Sequence, residues 1–273
     1  MRLLIFGLGY TATRVAARVR AIGGEVVGTT RDGRGESLRF DAATDALVQA
    51  THLLSSVPPD GDADPVLARY GGLLAGKRLV YLSSTGVYGD ARGAWVDESA
   101  PTGTGRRPAR AHADAAWLAL GARVLRLPGI YGPGRSALDR VRAGEAHRTG
   151  LPDQVFSRVH VDDIVAGVLA AFDAAPGAYN LADDHPCSQD EVVAHAARLL
   201  GLPLPPLVAL DRLSPMARGF YAENRRVANG KAKRVLGWTP RYADYRAGLR
   251  ALNAITSPTP ASTAPAPASA DQR

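Results

Sequence analysis

A chain of 273 residues with 46% apolar content can bury one large α/β core, or a domain with a smaller lobe. No apolar run approaches the roughly 20 residues of a membrane helix. The N-terminus carries no signal-peptide pattern, and the single Cys187 excludes an internal disulfide or a cysteine metal cage. A cytoplasmic protein with no membrane partner is therefore expected. The net charge of +7 comes from arginines spread along the chain, with only 6% aromatic residues and no RNP-like or zinc-finger spacing, so nucleic acid is not an expected partner.

In chain order, apolar runs at residues 2–6 and 25–30 flank a helical stretch from about Thr11 to Ile22, which predicts a βαβ unit. Further buried strands are predicted at Leu38–Phe40, His52–Leu54, Arg78–Leu82 and Arg123–Leu127, with a helix near Arg110–Leu120 between the last two. Such alternation predicts an α/β fold with a Rossmann-type, doubly wound parallel sheet and ligands at the carboxyl ends of its strands. Beyond Gly132 the pattern loosens to helices near Ser136–Ala143, Asp162–Ala174 and Ser188–Leu200 and a strand at Ala178–Leu181. Ser188 and Glu191 have the spacing of a capping box. Residues 256–273, rich in Pro, Ala, Ser and Thr, read as a disordered tail.

Gly7-Leu8-Gly9-Tyr10-Thr11-Ala12 follows a strand and opens a helix, the context that a dinucleotide-binding loop requires. Gly7 allows the tight turn, Gly9 lets backbone approach a pyrophosphate, and Ala12 keeps helix and sheet close. The free N–H groups of the helix start, around Tyr10 and Thr11, attract phosphate. The second strand ends Thr29-Thr30-Arg31, without the acid that usually takes the NAD ribose. Arg31 suits a 2′-phosphate, so NADP is favoured over NAD, although Asp32 can take the ribose if Arg31 is only solvated. Asp41, after the third strand, is either an adenine contact or a cap for the next helix.

Leu82-Ser83-Ser84-Thr85-Gly86-Val87-Tyr88-Gly89, Leu125 to Gly134, Val159-His160-Val161-Asp162-Asp163 and Leu236-Gly237-Trp238-Thr239-Pro240 occur in that order. Together they resemble the extended short-chain dehydrogenase/reductases of the NAD(P)-dependent epimerase/dehydratase family, over about residues 1–252. The resemblance implies a cofactor domain, mainly 1–132 with later segments returning to it, and a substrate lobe, mainly 133–255. It also implies that Ser84, or its neighbour Thr85, holds the reacting oxygen, that Pro128 to Ile130 lie beside the nicotinamide, and that Ser55, Ser56 and Val57 pass over the cofactor.

The family's Tyr-x-x-x-Lys pair, in which tyrosine transfers a proton and lysine lowers its pKa, is missing. The corresponding stretch, Arg106 to Asp114, aligns Arg106 with the tyrosine and Arg110 with the lysine that binds the ribose. Arginine stays protonated and is a poor general acid. Tyr88 and Tyr131 follow strands at the ligand-bearing edge; Tyr88, beside Ser84, is the candidate proton donor, or else packs in the pocket wall, and Tyr131 is a candidate substrate contact. Arg135, Arg158 and Arg225, with Arg226, suggest an anionic small-molecule substrate such as a phosphate or nucleotide sugar.

The segment Met216 to Arg226, with adjacent aromatics among charges, is a candidate pocket cover. His160 reads chiefly as a loop-orienting residue and the histidines show no metal spacing, so no metal is expected. Two functions follow: an NAD(P)-dependent oxidoreductase or epimerase acting by hydride transfer on a polar, anionic hydroxyl or carbonyl compound, or a non-catalytic NADP(H) sensor. Family resemblance also makes a homodimer an expectation.

Overall fold

The structure, a computed structural model, describes residues 1–256; the tail expected at 256–273 lies outside them, save for Thr256, which ends the last helix. Seven strands form one sheet: β1 (Arg2–Phe6), β2 (Glu25–Thr30), β3 (Leu38–Arg39), β4 (His52–Ser55), β5 (Arg78–Ser84), β6 (Arg123–Leu127) and β7 (Gly177–Asn180). Every pairing is parallel, in the order β7-β6-β5-β4-β1-β2-β3. The near-continuous apolar runs of β1, β4 and β5 are the signature of strands covered on both faces.

One face is covered by α1 (Tyr10–Ala21) and α6 (Val161–Asp173), where Val15, Val19, Ile164 and Phe172 pack with Ile5, Leu54 and Leu125. The other face carries α2 (Thr44–Gln49), α3 (Pro65–Tyr70) and α4 (Pro108–Ala119), where Leu47, Tyr70 and Trp117 pack on Phe6 and Tyr81. A third apolar cluster joins α5 (Ala137–Arg142), α7 (Gln189–Leu200) and α10 (Tyr245–Thr256) away from the sheet. The Ser188–Glu191 capping box forms with both of its hydrogen bonds.

The order of the sheet reverses between β1 and β4, which opens a crevice at their carboxyl ends. Three two-stranded ribbons overhang it: Gly129–Tyr131 with Arg158–His160, Val155–Phe156 with Cys187–Ser188, and Trp95–Val96 with Arg226–Val227. No helix among the described residues is long and apolar enough to cross a membrane.

Candidate active site

The loop after β1 is pinned from both sides of the crevice. Ser56 Oγ donates to the Gly7 carbonyl at 2.6 Å, Gly7 N donates to Thr29 Oγ1 at 3.3 Å, and Leu8 N donates to the Thr29 carbonyl at 2.9 Å. Gly7 sits at φ +88°, and a Cβ there would press on Ser56 Oγ and Val57. Gly9 is different: it is the N-cap of α1 in extended conformation, no side chain caps the helix, and nothing lies within 4 Å of a Cβ built on it. The helix start therefore presents free amides and open space, a cradle suited to a pyrophosphate. Tyr10 closes one side, donating to the Pro133 carbonyl at 3.1 Å beneath the Arg14 guanidinium, 3.9 Å from its ring centroid.

This cradle opens into a cavity of about 860 Å³. Of the residues singled out from the sequence, Gly9, Tyr10, Thr11, Ser56, Ser84, Thr85, Arg110, Pro128, Arg135, Arg158 and Arg225 line it. Ser84 and Thr85 stand where β5 ends; Ser84 Oγ accepts from Gly86 N at 3.1 Å and keeps its own proton free to donate. Arg31 is exposed on the loop after β2, which Thr30 Oγ1 fixes by accepting from Gly33 N and Arg34 N. Arg34, also exposed there and 3.9 Å from Asp32, adds a second cation.

Several expectations need correction. Tyr88 does not line the cavity: it is buried, donates to Asn180 Oδ1 at 2.8 Å and accepts from Arg126 Nη1 at 3.0 Å. Burial raises its phenol above the ordinary range against the pull of Arg126, so its hydroxyl serves a buried network. Tyr131 turns into the lobe, its ring 5.1 Å from that of His160 and its hydroxyl against Gly248. Asp41 is held by a two-point ion pair with Arg39 at 3.1 Å, and Ser55 is fully buried within the sheet. Val57 packs against the core under Gly7. Asp162 and Asp163 lie in the first turn of α6, whose N-cap is His160, with Nδ1 accepting from Asp162 N.

The network around Tyr88 anchors the site from behind. Arg126, on β6, makes a two-point ion pair with Asp114 of α4 at 2.7 and 3.1 Å, and Ser83 Oγ is 2.6 Å from Asp114 Oδ2. Both charged side chains are almost fully buried. Asp114, four residues beyond Arg110, thus ties α4 to the ends of β5 and β6.

Glu223 carries no local sequence signal, yet it organises the rim. Its Oε1 accepts from Arg106 N at 2.8 Å, and its Oε2 accepts from Arg225 Nη1 at 2.9 Å. Burial pushes its carboxyl up, but the Arg106 amide and the Arg225 guanidinium outweigh this and hold it below its usual range. Arg225 also donates to the Gly89 carbonyl, so its charge is spent on the protein. Arg106 reaches the same carboxylate at 3.3 Å and lies over the Phe220 ring. Met216, Phe220 and Tyr221 line the cavity, which is the arrangement expected of a cover.

Cys187, His185 and Glu191 bring ligand-type atoms within 4.8 Å of one another. Two of the three are engaged: Glu191 completes the cap of α7 and Cys187 Sγ accepts from Arg158 Nη1 at 3.2 Å. Burial pushes the Cys187 thiol up to about 11, away from the thiolate a metal or a nucleophilic role needs.

No family model matches the chain. Protein YeeZ of Escherichia coli K12 is 30% identical over 279 residues, covering 89% of this chain and 97% of that protein. A 3-diazoavenalumate denitrifying reductase from Streptomyces is 36% identical over 138 residues; the match takes in 46% of this chain and 45% of the reductase, so it spans under half of that relative. Among solved structures, a functionally unknown conserved protein from Silicibacter pomeroyi superposes with a TM-score of 0.86 at 43% identity, over 93% of this chain and 98% of that one. MoeE5 in complex with UDP-glucose and NAD gives 0.72 at 22% identity, over 92% and 96%. The human epimerase family protein SDR39U1 with NADPH gives 0.71 at 17% identity, over 92% and 99%.

Proposed function

We propose that the chain, a relative of Protein YeeZ, is an extended short-chain dehydrogenase/reductase of the NAD-dependent epimerase/dehydratase type, whose cavity binds NADP(H) and carries hydride transfer on a polar, anionic hydroxyl or carbonyl compound. The observation that carries this reading is the loop from Gly7 to Ala12, pinned at the switch point with Gly9 open and the start of α1 without a side-chain cap. When bound, the cofactor supplies or accepts hydride at the nicotinamide C4.

The chain's own residues then divide the work. The amides of Tyr10 and Thr11 hold the pyrophosphate, with Gly9 leaving room for it and Ser56 opposite. Arg31 and Arg34 offer charge-assisted bonds to a 2′-phosphate, which favours NADP over NAD. Ser84 and Thr85 hold the reacting oxygen through their hydroxyls, and Pro128 borders the nicotinamide. Arg110 takes the ribose from the position that lysine holds in the family. Arginine cannot release a proton at physiological pH, so neither Arg110 nor Arg106, which is paired with Glu223, protonates a reacting oxygen. The proton then comes from the Ser84 hydroxyl or from solvent. Residues 133–255, which supply Arg135, Arg158 and Arg225, act mainly as the substrate lobe.

Similarity to a reductase over 138 residues supports reductive chemistry. A second reading, an NADP(H) sensor without turnover, draws on the missing Tyr-x-x-x-Lys pair and the commitment of Tyr88 to the Arg126 network. Incubation with NADPH deuterated at C4 and a panel of carbonyl compounds separates the two. Deuterium in a product is expected; binding of NADPH with no label leaving C4 for any compound would favour the sensor.

A further inference from the structure

Beyond the pyrophosphate cradle the cavity ends in a compartment made by two ribbons, the start of α7 and the 214–225 segment. Phe156 and Tyr221 face each other there, ring centroids 5.5 Å apart and planes at 89°. Below them lies Arg158, only 7% exposed. Its Nη1 donates to the carbonyls of Phe156 at 2.8 Å and Cys187 at 3.2 Å and to Cys187 Sγ at 3.2 Å, and its Nη2 donates to Gln189 Oε1 at 3.0 Å and the Ser188 carbonyl at 3.4 Å. All of these acceptors are neutral, and Arg158 makes no ion pair with any described residue.

Asp183, whose N donates to the Arg158 carbonyl at 2.7 Å, is a buried acid nearby with Oδ2 unpartnered. Burial pushes its pKa up to about 7, so near neutrality it supplies only part of a counter-charge. A buried guanidinium without an anion is costly, and a ligand anion relieves that cost. Arg140 adds a second cation: it is exposed and lines the same cavity as Arg158 and Tyr221.

Two further features limit what fits. Met216 and Phe220 are 75% and 55% exposed while lining the cavity, so a ligand beneath them gains apolar contact that solvent now takes. The whole cavity, cradle included, is about 860 Å³, within the roughly 300–1,000 Å³ of a single small-molecule site.

We infer that this compartment takes a compact aromatic carboxylate, its ring against Phe156 and Tyr221 beneath Met216 and Phe220, and its carboxylate on Arg158 and Arg140. The ligand's other end carries the carbonyl or hydroxyl group that faces Ser84, so the inference rests on the hydride-transfer reading and names its substrate class. The ring supplies shape and apolar area, and the two guanidinium groups supply the charge recognition.

The test is calorimetric titration of the full chain preloaded with NADPH, using 4-formylbenzoate, its methyl ester and UDP-glucuronate. The acid is expected to bind at least about tenfold more tightly than the ester, and more tightly than UDP-glucuronate. Arg140→Gln, an exposed position that leaves the core untouched, is expected to narrow the acid–ester gap. Phe220→Ala is expected to weaken acid and ester alike, several-fold in each case. Equal affinity for acid and ester, no binding of the acid, or tighter binding of UDP-glucuronate overturns the inference. The preloading step reads the cofactor site separately: if NADPH binds and the acid does not, only the compartment's assignment falls. If NADPH itself does not bind, the hydride-transfer reading falls, and the same titrations on the cofactor-free chain still judge the compartment.

Discussion

Asp114→Ala is expected to destabilise the protein by about 3–5 kcal/mol, the usual cost of removing one partner from a buried ion pair. The Arg126 guanidinium would remain almost fully buried with its two bonds to Asp114 lost, and Ser83 Oγ would lose its partner as well. Urea unfolding followed by tryptophan fluorescence measures the effect; Trp117 on α4 lies close to the change. An Asp114→Ala, Arg126→Leu double variant is expected to lose less than the sum of the single losses, because no unpaired charge is left behind. A single-variant loss below about 1 kcal/mol would show that the pair is not what ties α4 to the strand ends.

The second large effect falls on ligand binding and spares the fold. Gly9→Val adds a branched side chain where nothing lies within 4 Å and where the backbone, at φ −94° and ψ −167°, already has an extended conformation. Folding stability is expected to stay within about 1 kcal/mol of wild type, the scale of an N-cap change. NADPH affinity is expected to fall on the order of a hundredfold, because the new side chain occupies the path by which backbone meets the pyrophosphate. Thermal unfolding without ligand and calorimetric titration with NADPH read the two effects independently. Unchanged NADPH affinity would remove this loop from the cofactor site.

The sheet was largely legible in the sequence because its strands are short apolar runs cut off by glycines. Residues 2–6, 25–30 and 123–127 form strands with the bounds read from the sequence. The helix expected at Asp162–Ala174 runs from Val161 to Asp173, with His160 as its N-cap. The helices at Thr44–Gln49, Pro65–Tyr70 and Pro215–Phe220, under two turns each, show little helical period and were not expected. The site was legible only where one segment builds it. The pyrophosphate loop and Ser84 are local features of strand ends. Phe156 reaches the cavity through a ribbon that pairs distant segments, Val155–Phe156 with Cys187–Ser188, and no spacing within one segment announces that. Tyr88 misled for a related reason: it stands four residues from Ser84, but the short helical turn after β5 points it back at Arg126 and Asn180.

That the crevice between β1 and β4 is an NADP(H) site is tested most directly by titrating the wild-type chain with NADPH and with NADH. One site per chain is expected, with NADPH binding about ten- to a hundredfold more tightly, the worth of charge-assisted bonds to a 2′-phosphate. The preference should collapse toward one when Arg31 and Arg34 are both replaced by alanine. Failure of both nucleotides to bind would contradict the assignment of the crevice, and a preference unmoved by the double replacement would contradict the role given to the two arginines.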